Sequence, residues 1–207
     1  MNGLQLDRGY LSPYFVTDTS QGIVVLDNPK IIVCNMEIIS IADLSITLSE
    51  LAKSNQSVLI LAEDFVGEAL NVLIASTVKG VIKAAVVKAP YYGERRRVTL
   101  EDAALVTGAT LISPDKGINL ASALECLGSA SRVVITKDTT TIIGGTGDTN
   151  EISKRVQDLR SLIQKETKDG EKQVLKERLA KLSNGIAIMH VGAATEVEMK
   201  EKKDSVS

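Results

Sequence analysis

A chain of 207 residues is long enough to bury a sizeable core in one large domain, or in one domain with an appendage, without disulfide or metal staples. Apolar residues make up 44% and charged residues 24%, the mixture of an ordinary soluble globular protein, and a net charge of −2 excludes a global electrostatic pull toward nucleic acid or a membrane surface. Aromatic residues are only 3% and tryptophan is absent, so the core is aliphatic. Cys34 and Cys126 each sit among apolar neighbours and read as buried free thiols, with no metal spacing. The single histidine, His190, has no Cys or His neighbour to suggest a metal site. No apolar run approaches the length of a membrane span. Met1 to Gly3 leads straight into Leu4-Gln5-Leu6, which leaves no room for a signal peptide and has the look of a cut boundary.

In chain order, Gly22 to Leu26 and Lys30 to Cys34 read as strands separated by a turn at Asn28-Pro29. Ser40 to Lys53 reads as a helix, with Ile41, Leu44, Leu48 and Leu51 at helical spacing. Ser57 to Ala62 is a continuous apolar run, as in a strand covered on both faces, closed by Glu63-Asp64. A helix over Gly67 to Lys79, a strand over Val81 to Lys88 and a Pro90 loop follow. Thr99 to Thr107 is a helix stopped by Gly108, Thr110 to Ile112 a short strand, and Ala121 to Leu127 a short helix. This alternation predicts an α/β fold with a partly parallel sheet. Arg132 to Ile143 reads as a hairpin around Lys137-Asp138, then comes the loop Gly144-Gly145-Thr146-Gly147. Glu151 to Lys168 and Glu171 to Leu182 each carry one apolar stripe, predicting an antiparallel helical hairpin with charged outer faces around the turn Lys168-Asp169-Gly170. Ile186 to Val191 reads as a strand, and the tail from Glu196 to Asp204 is nearly all charge.

Four features invite a chemical reading. The loop Gly144 to Gly147 lies between a strand and a helix, where a phosphate loop sits, but it lacks the Gly-Lys-Ser/Thr ending and the full GxGxxG spacing; it reads as a flexible connector needing positive φ. Arg95-Arg96-Arg97 beside Tyr91 and Tyr92 suggests phosphate contact with base stacking, yet in a slightly acidic chain it reads better as a solvated helix start or a subunit contact, not a nucleic-acid site. Glu63 and Asp64 lie at a strand end, where an α/β enzyme places catalytic groups, and a small α/β enzyme using this pair is the alternative function; no nucleophile motif accompanies them. The helix over Gly67 to Lys79 is apolar in nearly every direction, through Ala69, Leu70, Val72, Leu73, Ile74, Ala75 and Val78. Such a helix is either buried all round or offers an apolar face to a partner, and periodicity alone leaves both open.

Asp7-Arg8-Gly9-Tyr10-Leu11-Ser12-Pro13-Tyr14-Phe15 resembles the DRGYLSPYF signature of group I, GroEL-type chaperonins. Ile60 to Asp64, Gly67 to Leu70, Val87 to Pro90, Lys137 to Ile143 (KDTTTII) and Val191 to Lys203 (VGAATEVEMKEKK) extend the resemblance over essentially all of Leu4 to Lys203. The resemblance implies an apical, polypeptide-binding domain over residues 1–191 and the start of a returning intermediate-domain segment over 192–207. It implies an ATP-dependent folding ring of sister subunits, with ATP and Mg bound by an equatorial domain that this stretch does not contain. No cofactor and no catalytic residue are therefore expected here, and no membrane partner.

The resemblance further implies that unfolded clients and a GroES-type co-chaperonin dock between two helices matching Asp43 to Lys53 and Gly67 to Thr77. The groove positions fall on Tyr10, Tyr14, Phe15, Ser45, Leu48, Leu70, Ile74 and Ala75, so the second helix is expected to turn its extra apolar face to clients. Arg8 and Glu196 are implied as an inter-subunit pair. Three positions depart from the family pattern: Ser45 stands where a groove leucine is usual, Tyr91-Tyr92 replace Gly-Phe after Ala89-Pro90, and Gly144 replaces a frequent aspartate. The resemblance is compatible with bacterial cytosol, plastid stroma or mitochondrial matrix.

Overall fold

The structure is a computed structural model that describes residues 2–183. It is α/β, built on two four-stranded sheets. The first sheet is antiparallel throughout, in the order β1 (Gly3–Leu6), β8 (Thr140–Ile143), β7 (Arg132–Ile135), β2 (Val24–Asp27). The second runs β5 (Ala84–Lys88), β4 (Val58–Phe65), β3 (Lys30–Ile38), β6 (Gly128–Ser129), with β5, β4 and β3 parallel and β6 antiparallel. Among the described residues there are five α-helices: α1 (Ser45–Lys53), α2 (Gly67–Val78), α3 (Gly93–Thr107), α4 (Thr149–Lys165) and α5 (Asp169–Ser183). The parallel strands carry the aliphatic runs. Val58, Leu59, Ile60, Leu61 and Ala62 are all fully buried, because helices and loops cover both faces of a parallel sheet.

Several elements differ from the sequence expectation. The strands on either side of Asn28-Pro29 pair in different sheets, and Asn28 makes the corner with φ +49°. β4 does not close at Glu63-Asp64 but continues through both to Phe65, since Phe65 and Ile38 add one more buried cross-strand pair. α3 begins at Gly93, so the arginine run lies inside a helix; its first two turns hold charge where an apolar stripe would have signalled a helix. Residues 120–126 form a 3-10 helix, and the predicted strand near Ile112 is a single bridge to Cys34. β1 and the Pro13–Phe15 turn had no clear sequence signal. The predicted strand 186–191, the charged tail, His190 and Glu196 lie outside the described residues.

The helical hairpin is present, and its place is fixed by charge as well as by apolar burial. Asp148 caps α4 by accepting from the backbone N–H of Asn150 (2.8 Å) and Glu151 (3.4 Å). Ile152 and Leu159 of α4 and Leu182 of α5 are buried, with Val156, Leu175 and Leu179 packed partly against the core. Between the hairpin and α3 lies the buried carboxylate of Asp102. Its Oδ1 accepts from Arg155 Nη1 (2.6 Å) and Arg178 Nη2 (3.0 Å), and its Oδ2 accepts from Arg178 Nε (2.8 Å). One residue of α3 therefore holds one residue from each arm of the hairpin.

The glycine loop is a packing device and not the flexible connector expected. Only Gly144 has a positive φ (+65°). At Gly147 a Cβ would stand 1.9 Å from the Leu105 carbonyl oxygen, so the loop lies directly against the last turn of α3. Its N–H groups are used within the fold: Gly145 donates to Asn2 O (2.8 Å), Thr146 to Ser129 O (3.1 Å) and Gly147 to Val106 O (2.9 Å). Three of the four N–H groups of the loop are therefore unavailable to cradle a phosphate.

Candidate functional site

α2 explains itself by its angular pattern. Ala69 and Leu73, four residues apart, point into the core and are buried, Leu73 at 1% exposure. At about 100° per residue the remaining apolar positions divide into two flanks. Leu70 and Ile74 lie on one flank, half-buried against the core, and α2 packs against the Pro13–Phe15 turn. Val72 (39% exposed) and Ser76 lie on the other flank, toward α1. Val78 points to solvent.

Between α1 and α2 runs a groove of about 160 Å³. One wall is Ile41, Leu48, Ser49 and Ala52; the other is Val72, Leu73 and Ser76, with Val81 and Ile82 at the end. Among the described residues, no charged side chain lines it. α1 reaches the core through Thr47 and Leu51 and leaves Leu48 on its flank, partly buried and facing the groove. Further aliphatic residues are exposed on the same helices and just after β3: Ile46 on α1, Val78 on α2 and Ile39.

The expected groove residues fall into four groups: groove lining, open surface, half-buried and core. Leu48 lines the groove; Tyr14, at 69% exposure, and Ala75 are on the surface. Tyr10, Leu70 and Ile74 are half-buried, and Tyr10 is tied down by its hydroxyl, which donates to Gly22 O (3.1 Å). Phe15 corrects the expectation: at 3% exposure it belongs to the core, because the turn that exposes Tyr14 points the next ring inward. Ser45 is exposed at the first position of α1, donates to Ile41 O (3.3 Å), and lies outside the groove lining. Arg8 is half-buried; its expected partner Glu196 is not among the described residues. The sequence reading missed Ser49, Ala52, Ser76, Val81 and Ile82. The two serines carry no apolar signal, and Val81-Ile82 read as the start of a strand that begins at Ala84.

The rival sites are internally paired. Glu63 takes Arg96 Nη1 at 3.2 Å and Asp64 takes Lys88 Nζ at 3.4 Å, so both carboxylates serve ion pairs between elements. Arg95 pairs with Glu177 and stacks 3.7 Å over the Tyr91 ring, and Arg97 pairs with Glu94 and Glu101. Arg97 hydrogen bonding holds the Glu94 carboxyl below its usual range. Among the described residues, no group of three or more His, Cys, Asp or Glu side chains converges where a metal would sit. Both cysteines are buried and unbridged; burial, with a smaller contribution from Cys126, pushes the Cys34 thiol up to about 12, which keeps it an unreactive thiol at neutral pH.

The signature Asp7 to Phe15 also has a physical reading. At Gly9 a Cβ would stand 2.1 Å from the Thr136 carbonyl oxygen, and Tyr10 then bridges to Val87 at the edge of β5. The segment crosses from one sheet to the other at a point where only glycine fits. No protein-family model matches the chain.

Proposed function

We propose that the chain is the polypeptide-binding, apical part of a GroEL-type chaperonin, and that the groove between α1 and α2 holds apolar segments of non-native proteins and of a GroES-type co-chaperonin. The observation that carries this reading is the charge-free groove, set among exposed aliphatic side chains on two helices that each spend only a narrow stripe on the core. A surface of that kind is costly to leave in water unless it has work with a partner. Apolar burial is also non-directional, so one groove serves many client sequences. The motifs from Asp7 to Phe15 and from Lys137 to Ile143 support the same reading. Residues 1–191 form the apical domain in this proposal and 192–207 begin the segment returning toward an intermediate domain. ATP turnover belongs to another domain of the ring subunit.

The test is suppression of aggregation. At equimolar ratio the chain is expected to slow light scattering by a chemically denatured, aggregation-prone enzyme, and Leu48→Ser with Val72→Ser to lose most of that effect. Absence of suppression by the parent chain rejects the reading. Saturable nucleotide binding in calorimetry at micromolar concentration contradicts its assignment of ATP to another domain.

A further inference from the structure

A second cavity opens between the start of α3 and the helical hairpin. It holds about 320 Å³, against about 160 Å³ for the groove between α1 and α2. Its apolar lining is Val98 of α3 with Val174 and Leu175 of α5, all half-buried. The rest of the lining is charged: Glu94 and Arg95 from α3, and Glu166, Glu171 and Arg178 from the hairpin. These charges are not equivalent. Both guanidiniums are neutralised by carboxylates that do not line the cavity. Arg178 donates to Asp102 (2.8 and 3.0 Å), and Arg95 pairs with Glu177 and stacks over Tyr91. The carboxylates are held more loosely. Among the described residues, Glu166 accepts only from the backbone N–H of Thr167 (3.2 Å) and Lys168 (3.1 Å) and has no cationic partner. Glu171 meets Lys168 at 3.6 Å, a pair of exposed side chains that water screens. Glu94 pairs with Arg97, and its carboxylate oxygens keep lone pairs for a further donor.

We infer that this cavity binds an aliphatic diamine, with its methylenes over Val98, Val174 and Leu175 and its two ammonium groups on Glu94 of α3 and on Glu166 and Glu171 of the hairpin. The inference is independent of the reading of the α1–α2 groove. An uncharged apolar ligand would take water from the carboxylates and give nothing back, which is costly. An anion would face three carboxylates, and the two guanidiniums that would receive it are already paired. An ammonium carries three donors and no acceptor, and an ionised carboxylate only accepts, so the two match. A methylene chain between charged ends covers apolar surface while leaving its heads at the wet edge, as a lysine stem does. The carboxylates belong to two different elements, so a ligand charged at both ends joins α3 to the hairpin. Binding then stabilises the docked arrangement by mass action.

The experiment titrates the full 207-residue chain, methyl-labelled at valine and leucine, with four probes at low ionic strength: cadaverine, pentylamine, pentanol and aminohexanoate. Cadaverine is expected to shift the methyl signals of Val98, Val174 and Leu175, to raise Tm, and to weaken as salt is added. It should bind about threefold tighter than pentylamine and about tenfold tighter than pentanol, as for two screened ion pairs. Glu166→Gln with Glu171→Gln keeps side-chain size and an acceptor oxygen, and should weaken cadaverine about fivefold while leaving pentanol unchanged. Glu94→Gln tests the other end alone and should bring cadaverine down to the affinity of pentylamine. The Tm of each free variant checks that it is folded. Absence of shifts at these three residues overturns the inference, as does equal binding of cadaverine and pentanol or no effect of any glutamine variant. Aminohexanoate binding as tightly as cadaverine overturns it too, because the guanidiniums would then be selecting a zwitterion.

Discussion

The two sides of the molecule treat exposed and buried chemistry in opposite ways. Around α1 and α2, apolar side chains are left at the surface and no charge among the described residues lines the groove. Around α3 and the hairpin, a carboxylate is taken inside and satisfied there: Asp102 is 4% exposed and receives three hydrogen bonds from Arg155 and Arg178. Arg95–Glu177 and Arg96–Glu63 tie the same helix to α5 and to β4. A buried ion pair contributes little net stability against a well-packed apolar alternative, but it tolerates only one arrangement of its partners. The hairpin side is thus specified in geometry, and the groove side is left adaptable. That division suits the proposed role, in which the domain holds its shape while binding surfaces of no fixed shape.

The largest expected effect tests the specified side. Asp102→Ala leaves Arg155 and Arg178 partly buried without their carboxylate, and should cost about 3 kcal/mol in urea unfolding, the low end for a broken buried pair because Arg155 keeps some solvent contact. A cost under about 1 kcal/mol would show that the hairpin docks through its apolar seam alone. Hydrogen exchange should locate the loosening in α4 and α5, with the groove helices unchanged.

The next effect separates directions on one helix. Leu73→Ala removes a fully buried side chain and should cost about 2–5 kcal/mol. Val72→Ser, one position away but facing the groove, should cost less than about 1 kcal/mol while weakening client binding. Comparable losses of stability at both would mean that α2 is buried all round and that the groove closes in solution.

Leu70→Ser and Ile74→Ser lie between these extremes. The family pattern alone places both in the groove and predicts little loss of stability. Their half-burial against the core predicts about 1–2 kcal/mol each in thermal unfolding, alongside any binding defect. A stability cost near zero would move them to the open surface.

What the sequence made legible follows from which physical signal each element carries. The buried stretch Val58 to Ala62 of β4 announces itself as an aliphatic run, and the hairpin helices as single stripes with charged backs. The start of α3 was hidden because Glu94 to Arg97 are held by ion pairs, which leave no hydrophobic period. The loop Gly144 to Gly147 looked flexible because sequence reports that a glycine is present, not which carbonyl it approaches. The groove was half visible: periodicity showed that α2 has apolar surface to spare, but the assignment of Leu48, Val72 and Ser76 to one cleft depends on where β3 and β4 place α1 beside it. Phe15 looked equivalent to Tyr14 by motif and is not, because a tight turn sends neighbouring rings in opposite directions.

The smallest expected effect concerns the departure at Tyr91, on the specified side. Tyr91 has φ +69°, in the left-handed region, which explains physically why glycine is usual at this position in the resembling family. For a residue with a Cβ that conformation costs about 1–2 kcal/mol. The ring recovers part of it: Arg95 stacks 3.7 Å over its centroid, a contact of about 0.5–1 kcal/mol at a partly exposed site. The Tyr91 carbonyl also accepts from Arg96 Nε at 3.0 Å, a bond that any residue retains. Tyr91→Gly relieves the strain, loses the stacking and gains unfolded-state entropy, so its net change should stay within about 1 kcal/mol of zero. Tyr91→Ala keeps the strain and loses the stacking, so it should be less stable than Tyr91→Gly by about 1 kcal/mol, measured as the difference between two urea midpoints. The subtraction cancels the lost ring and isolates the backbone term. Equal stability of the two variants would mean that the loop after Pro90 relaxes out of the left-handed conformation once the ring is gone, and that Arg95 stacking, rather than the corner itself, holds Tyr91 there.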